Sequence, residues 1–335
     1  MKMLLVGNYR KGVGGVSGQM ERLQFHLREE GHSVTIFSTK GSVWKRLFLK
    51  RKLRAIVKNF DLLHIHCCSG WGFIPAVLGV TVGRKLGKRV VLTYHGGGGE
   101  KFFAKHTKLV RRYLTRTDAN IVLSGFLGKK FDKYHIPYTI IPNILELDST
   151  NYRERESLRP HFICVRTHEP LYNIPCILRA FRQLQAALPE ASLTLVGDGS
   201  QHEELKQQAA AMGLQNVIFT GRVDNNEIYS YLNNADIFLS APLIDNMPVS
   251  LLEAMNAGLL IISSRVGGVP YIVEDGKSAL LFESDNAAQL AEKMLWSLQH
   301  PEESLEMVRC AHKEVEKYQW GHVKEKFYSL YGFLS

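Results

Sequence analysis

The sequence predicts an α/β protein of two doubly wound, Rossmann-like domains facing a central cleft. Three observations predict it. Short β-branched and apolar runs alternate with longer amphipathic stretches, the pattern of parallel sheets covered by helices. These runs fall into two series. A polar, turn-rich stretch without periodicity, LELDSTNYRERESLRPH (145–161), separates the series and reads as an interdomain linker.

In the first half, MLLVG, SVTIFST, LLHIH, RVVLTYH, ANIVLS and YTIIPN read as strands. Their near-continuous apolar character suits parallel strands buried on both faces. In the second half, HFICVR, SLTLVGD, VIFTG, IFLSA, LIISS and ALLF do the same, with helices between them. The expected domains are residues 1–147 and 148–317. Ligands of such sheets sit beyond the carboxyl ends of the strands, so those loops are expected to line the cleft.

A chain of 335 residues with 45% hydrophobic and 22% charged residues has the composition of a folded two-domain protein. The longest apolar run, 73–82, is broken by Pro75 and Gly79 and falls short of the roughly 18 residues of a membrane span. The apolar start of the chain is shorter than a signal-peptide core, so a cytoplasmic location is expected. Cys67 and Cys68 are adjacent, Cys164, Cys176 and Cys310 are scattered, and no C-x-x-C pair suggests zinc. Cys67 or Cys68 beside His66 reads either as a nucleophile or, more commonly for such residues, as a small buried hydrophobe.

The net charge of +10 is unevenly shared. Residues 1–150 hold 26 Lys and Arg against 9 Asp and Glu, whereas 151–335 hold 16 against 23. Such a basic half points to an anionic partner: nucleic acid, an anionic membrane or an acidic ligand. No nucleic-acid motif accompanies the charge, which argues against the first. The stretch 40–60, opening on Lys40 and ending on Phe60, interleaves Trp44, Leu47, Phe48, Leu53, Ile56 and Val57 with Lys and Arg, much of it at helical spacing. A second basic stretch, 101–116, runs between Lys101 and Arg116. Each reads as a core-packed helix with a solvated basic face, or as a dock for an anionic membrane surface.

The strongest local signal is SAPLIDNMPVSLLEAMNAGLLIISSRVGGVPYIVEDGKSALLF, residues 240–282. A strand ends at Ser240, a loop carries Asp245, Asn246, Met247 and Pro248, and a helix begins near Val249 and closes at Gly258. Pro248 suits a position just inside the helix start, where its missing N–H costs nothing. Backbone N–H groups of that first turn can bind a phosphate. Asp245 and Glu253, eight residues apart, can accept hydrogen bonds from two sets of sugar hydroxyls; the plainer reading is a capped core helix with two solvated acids.

This segment resembles the donor-binding signature of glycosyltransferase family 4, an acidic residue followed after seven positions by Glu in an L-E-A-M context. Asp245 stands where Glu is commoner. The resemblance implies a GT-B fold and transfer from a nucleotide sugar with retention of configuration. It assigns Asp245 to hydroxyls of the transferred sugar, Glu253 to the ribose diol, and the backbone N–H groups of Asn246, Met247, Val249 and Ser250 to sugar and phosphate. Upstream, residues 192–240 follow the family's order of elements. Arg166 matches its diphosphate-binding Arg; Arg222 follows the strand that skirts the base, or is simply solvated. Where the family places a Lys about five residues after the Arg, this chain has Leu171, Tyr172 and Asn173, with no Lys before Lys206. Asp224 and Glu227 have the spacing of a helix capping box.

In the first half, the loop GNYRKGVGGVSGQ (7–19) lacks the third glycine of G-x-G-x-x-G, and no acid ends the second strand, which excludes a dinucleotide fingerprint. Gly14, Gly15 and Val16 match the family's G-G-V loop over donor phosphate and acceptor. His95 matches a His that touches the donor sugar or assists at the reacting centre, the alternative being a structural role. His64 and His66 resemble a D-x-x-H-x-H strand end, read as architectural, with His66 near the acceptor region. With no D-x-D pair, neither metal nor cofactor is expected; cationic side chains and helix N-termini would stabilise the leaving diphosphate in a front-face reaction. Residues 318–335 resemble terminal helices that pack back on the first domain. The resemblance spans nearly the whole chain, strongest over 193–282. It implies transfer to a glycan or lipid-linked acceptor in cell-surface polysaccharide or glycolipid synthesis, at the inner face of the membrane. A sugar-nucleotide epimerase on the same scaffold and a catalytically idle sugar-nucleotide-binding protein are the alternatives.

Overall fold

A computed structural model of the chain describes residues 1–12, 15–41, 43–146 and 151–333. They form two compact units, Met1–Ile144 with Tyr318–Ser335, and Leu145–Lys317. Among the described residues no helix is long and apolar enough to cross a membrane.

Unit 1 holds β1 (Lys2–Gly7), α1 (Val16–Glu29), β2 (Ser33–Ser38), α2 (Val43–Val57), β3 (Leu62–Cys67), α3 (Ile74–Lys85), β4 (Arg89–Tyr94), α4 (Gly99–Lys105), α5 (Thr107–Leu114), β5 (Ala119–Val122), α6 (Gly125–Lys133) and β6 (Thr139–Ile140). The sheet is parallel, in the order β2-β1-β3-β4-β5-β6. Side chains alternate between two buried layers, which is why the strands read as continuous apolar runs. Leu4, Val6, Leu63 and Ile65 join α2 to α6 on one face; Met3, Leu5 and Leu62 join α1 on the other. Helix α3 lies close on the sheet because Gly79 and Gly83 bare its inner face: a Cβ on either would meet Ile65 or Val90 at 2.6 Å.

The apolar residues of stretch 40–60 divide. Leu53 and Val57 are core, joined by Leu49, while Phe48 and Ile56 are 62% and 36% exposed among exposed Lys50, Arg51, Lys52 and Arg54. The side chains of Trp44 and Leu47 lie outside the described residues. The stretch 101–116 breaks at His106 into α4 and α5, which give Phe103, Val110 and Leu114 to the core. Burial pushes the thiols of Cys67 and Cys68 up, Cys68 to about 11. Both stay protonated, and the nucleophile reading falls away.

Unit 2 holds β7 (His161–Val165), α7 (Ile174–Ala187), β8 (Ser192–Val196), α8 (His202–Ala211), β9 (Val217–Gly221), α9 (Ile228–Asn234), β10 (Ile237–Ser240), α10 (Val249–Asn256), β11 (Leu260–Ser264), β12 (Leu280–Phe282), α11 (Ala287–Gln299) and α12 (Pro301–Glu314). Its sheet is again parallel, in the order β12-β11-β10-β7-β8-β9. Helix α9 begins at Ile228 with no side-chain cap, and Glu227 N donates to the Asp224 backbone oxygen at 3.0 Å. Asp224 thus closes a turn ahead of the helix, and the expected capping box is not formed.

The polar stretch taken for a linker is, from residue 151, part of this unit's framework. Asp236, fully buried at the start of β10, accepts from Arg155 Nε at 3.1 Å, from Arg159 Nε at 2.7 Å and N at 3.0 Å, and from Arg153. The buried Arg155 also donates to the carbonyls of Ala235, Ala257 and Gly258. Burial and the neighbouring Arg153 bring Arg155 down to about 10, which leaves it charged at neutral pH.

The last helix, α13 (Trp320–Tyr331), packs on the α1 face of unit 1 through Trp320, Val323, Phe327 and Tyr331. Trp320 stacks on His26 at 5.0 Å and donates to Glu30 at 3.2 Å.

Candidate functional site

Unit 2 gathers Arg166, Asp245 and the start of α10 at the carboxyl ends of its central strands. Arg166 follows β7 and donates its N–H to Val196 of β8 at 3.0 Å. The turn after β8 presses on it: a Cβ on Gly197 would lie 1.9 Å from the Arg166 carbonyl oxygen. Asp245 sits in the loop from β10 to α10. Its carboxylate accepts from Asn246 N at 2.7 Å and its carbonyl from Gly268 N at 2.8 Å. Gly267, at φ 55°, permits that approach, since a Cβ there would lie 1.8 Å from Asp245 O. These two glycine contacts fix the backbones from which Arg166 and Asp245 project.

Nη2 of Arg166 lies 3.0 Å from Oδ2 of Asp245, with side chains 10% and 16% exposed. The approach is an ion pair but makes no hydrogen bond: Nε and Nη2 are both buried without an acceptor. A guanidinium so sheltered with unspent donors is equipped for a further anionic group. Pro248 proves to be the residue before α10, with extended ψ of 112°, not its first helical position. It offers no side-chain cap, so the first-turn amides of Val249 and Ser250 face outward along the helix axis. Ser250 Oγ is likewise buried without a partner. Asn246 and Met247 are buried beside them, and Glu253, half-buried, stands in the second turn of α10. Arg222 is exposed after edge strand β9, and no ion pair among the described residues ties it to Asp245.

In unit 1, Gly14 lies outside the described residues. Gly15, at φ 66°, is exposed and precedes α1, which Val16 opens. Glu21 braces this loop from the helix, accepting from Tyr9 Oη at 2.8 Å and Gly12 N at 3.1 Å; burial, then Glu21, pushes the Tyr9 phenol to about 12.

Alternation along β3 and β4 puts His64, His66, Thr93 and His95 on the face that α13 covers. His64 shares 2.7 Å hydrogen bonds with Tyr331 Oη and Thr93 Oγ1, so both its nitrogens are satisfied and it is architectural. His66 Nδ1 and His95 Nε2 are 3.0 Å apart and their rings stack at 5.3 Å. Burial lowers all three imidazoles, His95 to about 4 and His64 to about 3. At neutral pH they are uncharged hydrogen-bonding groups. A small recess beside them is lined by Gln19, His66, Thr93, His95, Asn143 and Phe327.

Two features escaped the sequence reading. Tyr172 lies against Arg166, the guanidinium carbon 5.0 Å from its ring centroid. His168 and His202 stack at 4.9 Å and share a 2.9 Å Nδ1···Nδ1 hydrogen bond beside the Gly197 turn. A polar–aromatic loop, PLYN, was the visible signal for the first; nothing local pairs residues 34 apart for the second.

Comparison with known proteins agrees across both units. The family model for glycosyl transferases group 1 matches residues 150–314, and that for Glycosyltransferase Family 4 matches 13–149. The chain is 30% identical over 147 residues to sulfoquinovosyl transferase SQD2 of Arabidopsis thaliana, 43% of this chain but 28% of that protein. It is 23% identical to the phosphatidyl-myo-inositol mannosyltransferase of Mycolicibacterium smegmatis, across 96% of this chain and 91% of that one. The solved structure of HepE from Anabaena, in complex with UDP-glucose, superposes with a TM-score of 0.81 at 17% identity, covering 100% of both chains.

Proposed function

Because the chain belongs to glycosyltransferase family 4, a hexosyltransferase-type enzyme of GT-B fold, we propose that it moves a sugar from a nucleoside-diphosphate sugar to a glycan or lipid-linked acceptor with retention of configuration. The observation that carries this reading is the sheltered Arg166 guanidinium, with unspent donors, beside Asp245 and the uncapped start of α10. Arg166 and the amides of Val249 and Ser250 receive the diphosphate, and Glu253 takes the ribose diol. As the diphosphate takes the place of Asp245 against Arg166, the freed carboxylate accepts from hydroxyls of the sugar, with Asn246, Met247 and Pro248 shaping the loop. The same donors hold the charge that grows on the leaving diphosphate, whose oxygen takes the acceptor's proton on the front face.

Unit 1 contributes Gly15 and Val16 at a helix start, with Gly14 in the same loop, and the neutral His95, suited to exchange a hydrogen bond with a sugar hydroxyl. Arg222 is assigned to the edge of the base. The basic, partly apolar surface of α2, α4 and α5 is assigned to an anionic membrane at its inner face, where lipid-linked acceptors of polysaccharide or glycolipid synthesis are held. The phosphatidyl acceptor in the name of the mycobacterial relative supports that choice.

The test is a donor screen with purified protein and lipid-linked acceptors, read by mass analysis. Nucleoside diphosphate released only with acceptor, alongside an extended acceptor, is the expected result, and it survives EDTA. An epimerised sugar nucleotide formed without acceptor, or activity lost to EDTA and restored by magnesium or manganese, overturns the corresponding part.

A further inference from the structure

We infer that Tyr172 is a positioning residue of the diphosphate subsite, fixing the Arg166 guanidinium in the orientation in which it receives the donor. The inference rests on the assignment of Arg166 to the diphosphate. Glycosyltransferases resembling this chain share that charge between an Arg and a nearby Lys, and here the corresponding stretch is Leu171, Tyr172 and Asn173. Within unit 2, three other cations are engaged elsewhere or stand exposed. Arg265, after β11, is engaged with Asp275 and with Glu283 at 3.7 Å; Lys206 is paired with Glu203 at 3.0 Å; Arg222 is exposed at the sheet edge.

A single arginine must then be well placed, because a long side chain loses rotamer freedom on binding unless that freedom is already gone. Tyr172 removes it. Its ring faces the guanidinium carbon at 5.0 Å. An aromatic face attracts a cation without supplying an opposite charge, and it binds a planar guanidinium broadside. Asp245 must yield its place to a diphosphate, whereas the ring need not. Nε and Nη2 make no hydrogen bond, although Nη2 faces Asp245 at 3.0 Å.

The ring stands on a braced loop. Residues Pro170–Tyr172 form a 3-10 turn in which Tyr172 N donates to Glu169 O at 2.9 Å. The Glu169 carboxylate receives Ser200 N and Oγ at 3.0 and 2.7 Å, tying the loop to the turn after β8. Leu243 N donates to Leu171 O at 2.9 Å, tying it to the loop that carries Asp245. The three segments that build the subsite are therefore joined through the residues flanking Tyr172.

The experiment is a double-mutant cycle on nucleotide binding by calorimetry. The probe is whichever of UDP, GDP and ADP raises Tm most in the wild-type protein. Tyr172→Phe is expected to bind within about twofold of wild type, and Tyr172→Leu to bind about five- to thirtyfold more weakly. In an Arg166→Ala background, Tyr172→Leu should cost less than about twofold, because Tyr172 acts through the missing guanidinium. Tyr172→Met replaces Tyr172→Leu if the latter lowers the nucleotide-free Tm. Wild-type affinity in Tyr172→Leu, or the same loss in both backgrounds, overturns the inference. Full binding by Arg166→Ala itself would instead remove Arg166 from the subsite and take the functional assignment with it.

Discussion

Lowering the pH from 8 to 5 should strip unit 1 of stability through its buried imidazoles, and the loss can be worked out ring by ring. In the unfolded chain His64 and His95 titrate near the ordinary 6.5; in the folded chain burial holds them to about 3 and about 4. Between those values the unfolded state binds protons that the folded state refuses. Stability is therefore complete above pH 6.5 and falls as the pH drops toward 4. At pH 5 each ring contributes a loss of about 2 kcal/mol, so the two together remove about 4 kcal/mol, a large share of an ordinary domain's stability. His66, lowered by the same burial and by both neighbours, adds to the loss. The partners that face these rings, Thr93 and Tyr331, carry no charge that could offset a proton at this pH. Urea unfolding followed by tryptophan fluorescence in a Trp296→Phe background confines the signal to unit 1, which contains Trp44, Trp71 and Trp320. With a slope of about 2 kcal/mol/M, the midpoint should fall by about 2 M. His64→Gln, which deletes one titrating ring, should shrink the pH-dependent loss by about 2 kcal/mol. A midpoint unchanged from pH 8 to 5, or an undiminished loss in His64→Gln, would refute the reasoning.

Three further outcomes follow from the structure. Asp236→Ala leaves the buried Arg155 without its carboxylate and should cost unit 2 about 3–5 kcal/mol, checked by chemical denaturation; a loss below about 1 kcal/mol would mean the carbonyls around Arg155 suffice. Asp245→Ala and Glu253→Ala should each lower turnover about ten- to more than a hundredfold, the effect of losing a hydrogen bond to a charged group, at unchanged Tm; near-wild-type turnover in both defeats their assignment. Flotation with liposomes should show binding that rises with anionic lipid, falls with salt, and weakens in a Lys50→Gln, Arg51→Gln, Lys52→Gln triple variant, since each cation near the surface is worth about 1 kcal/mol; protein that stays soluble at low salt with strongly anionic vesicles sinks the membrane assignment.

The central strands were legible because they are buried on both faces. Burial on both faces leaves runs such as MLLVG and ALLF without polar side chains, and such runs survive without any knowledge of pairing. The loop before α10 was legible for another reason: Asp245, Pro248, Glu253 and Gly258 each mark a local backbone event within 14 residues. Side-chain assignments on α2 were less so. Helical spacing says which residues share a face but not which face meets the sheet, and there Leu49 is buried while Phe48 beside it is 62% exposed.

Apart from Arg166 and Tyr172, the pairings that escaped notice join residues far apart in sequence. Arg153, Arg155 and Arg159 looked like solvated linker charge because their counter-ion, Asp236, lies more than 70 residues on, just before a strand that reads as apolar. That cluster explains where some of unit 2's positive charge goes: into holding the entry of the chain against α9, β10 and the end of α10. The cations left near the strand ends of unit 2 are few, so in the proposed donor subsite the anion is assigned to Arg166, its aromatic neighbour and the amides of a helix start. A half whose 23 acids outnumber its 16 bases can bind a diphosphate on those terms because burial and backbone dipoles, not net charge, set the local field.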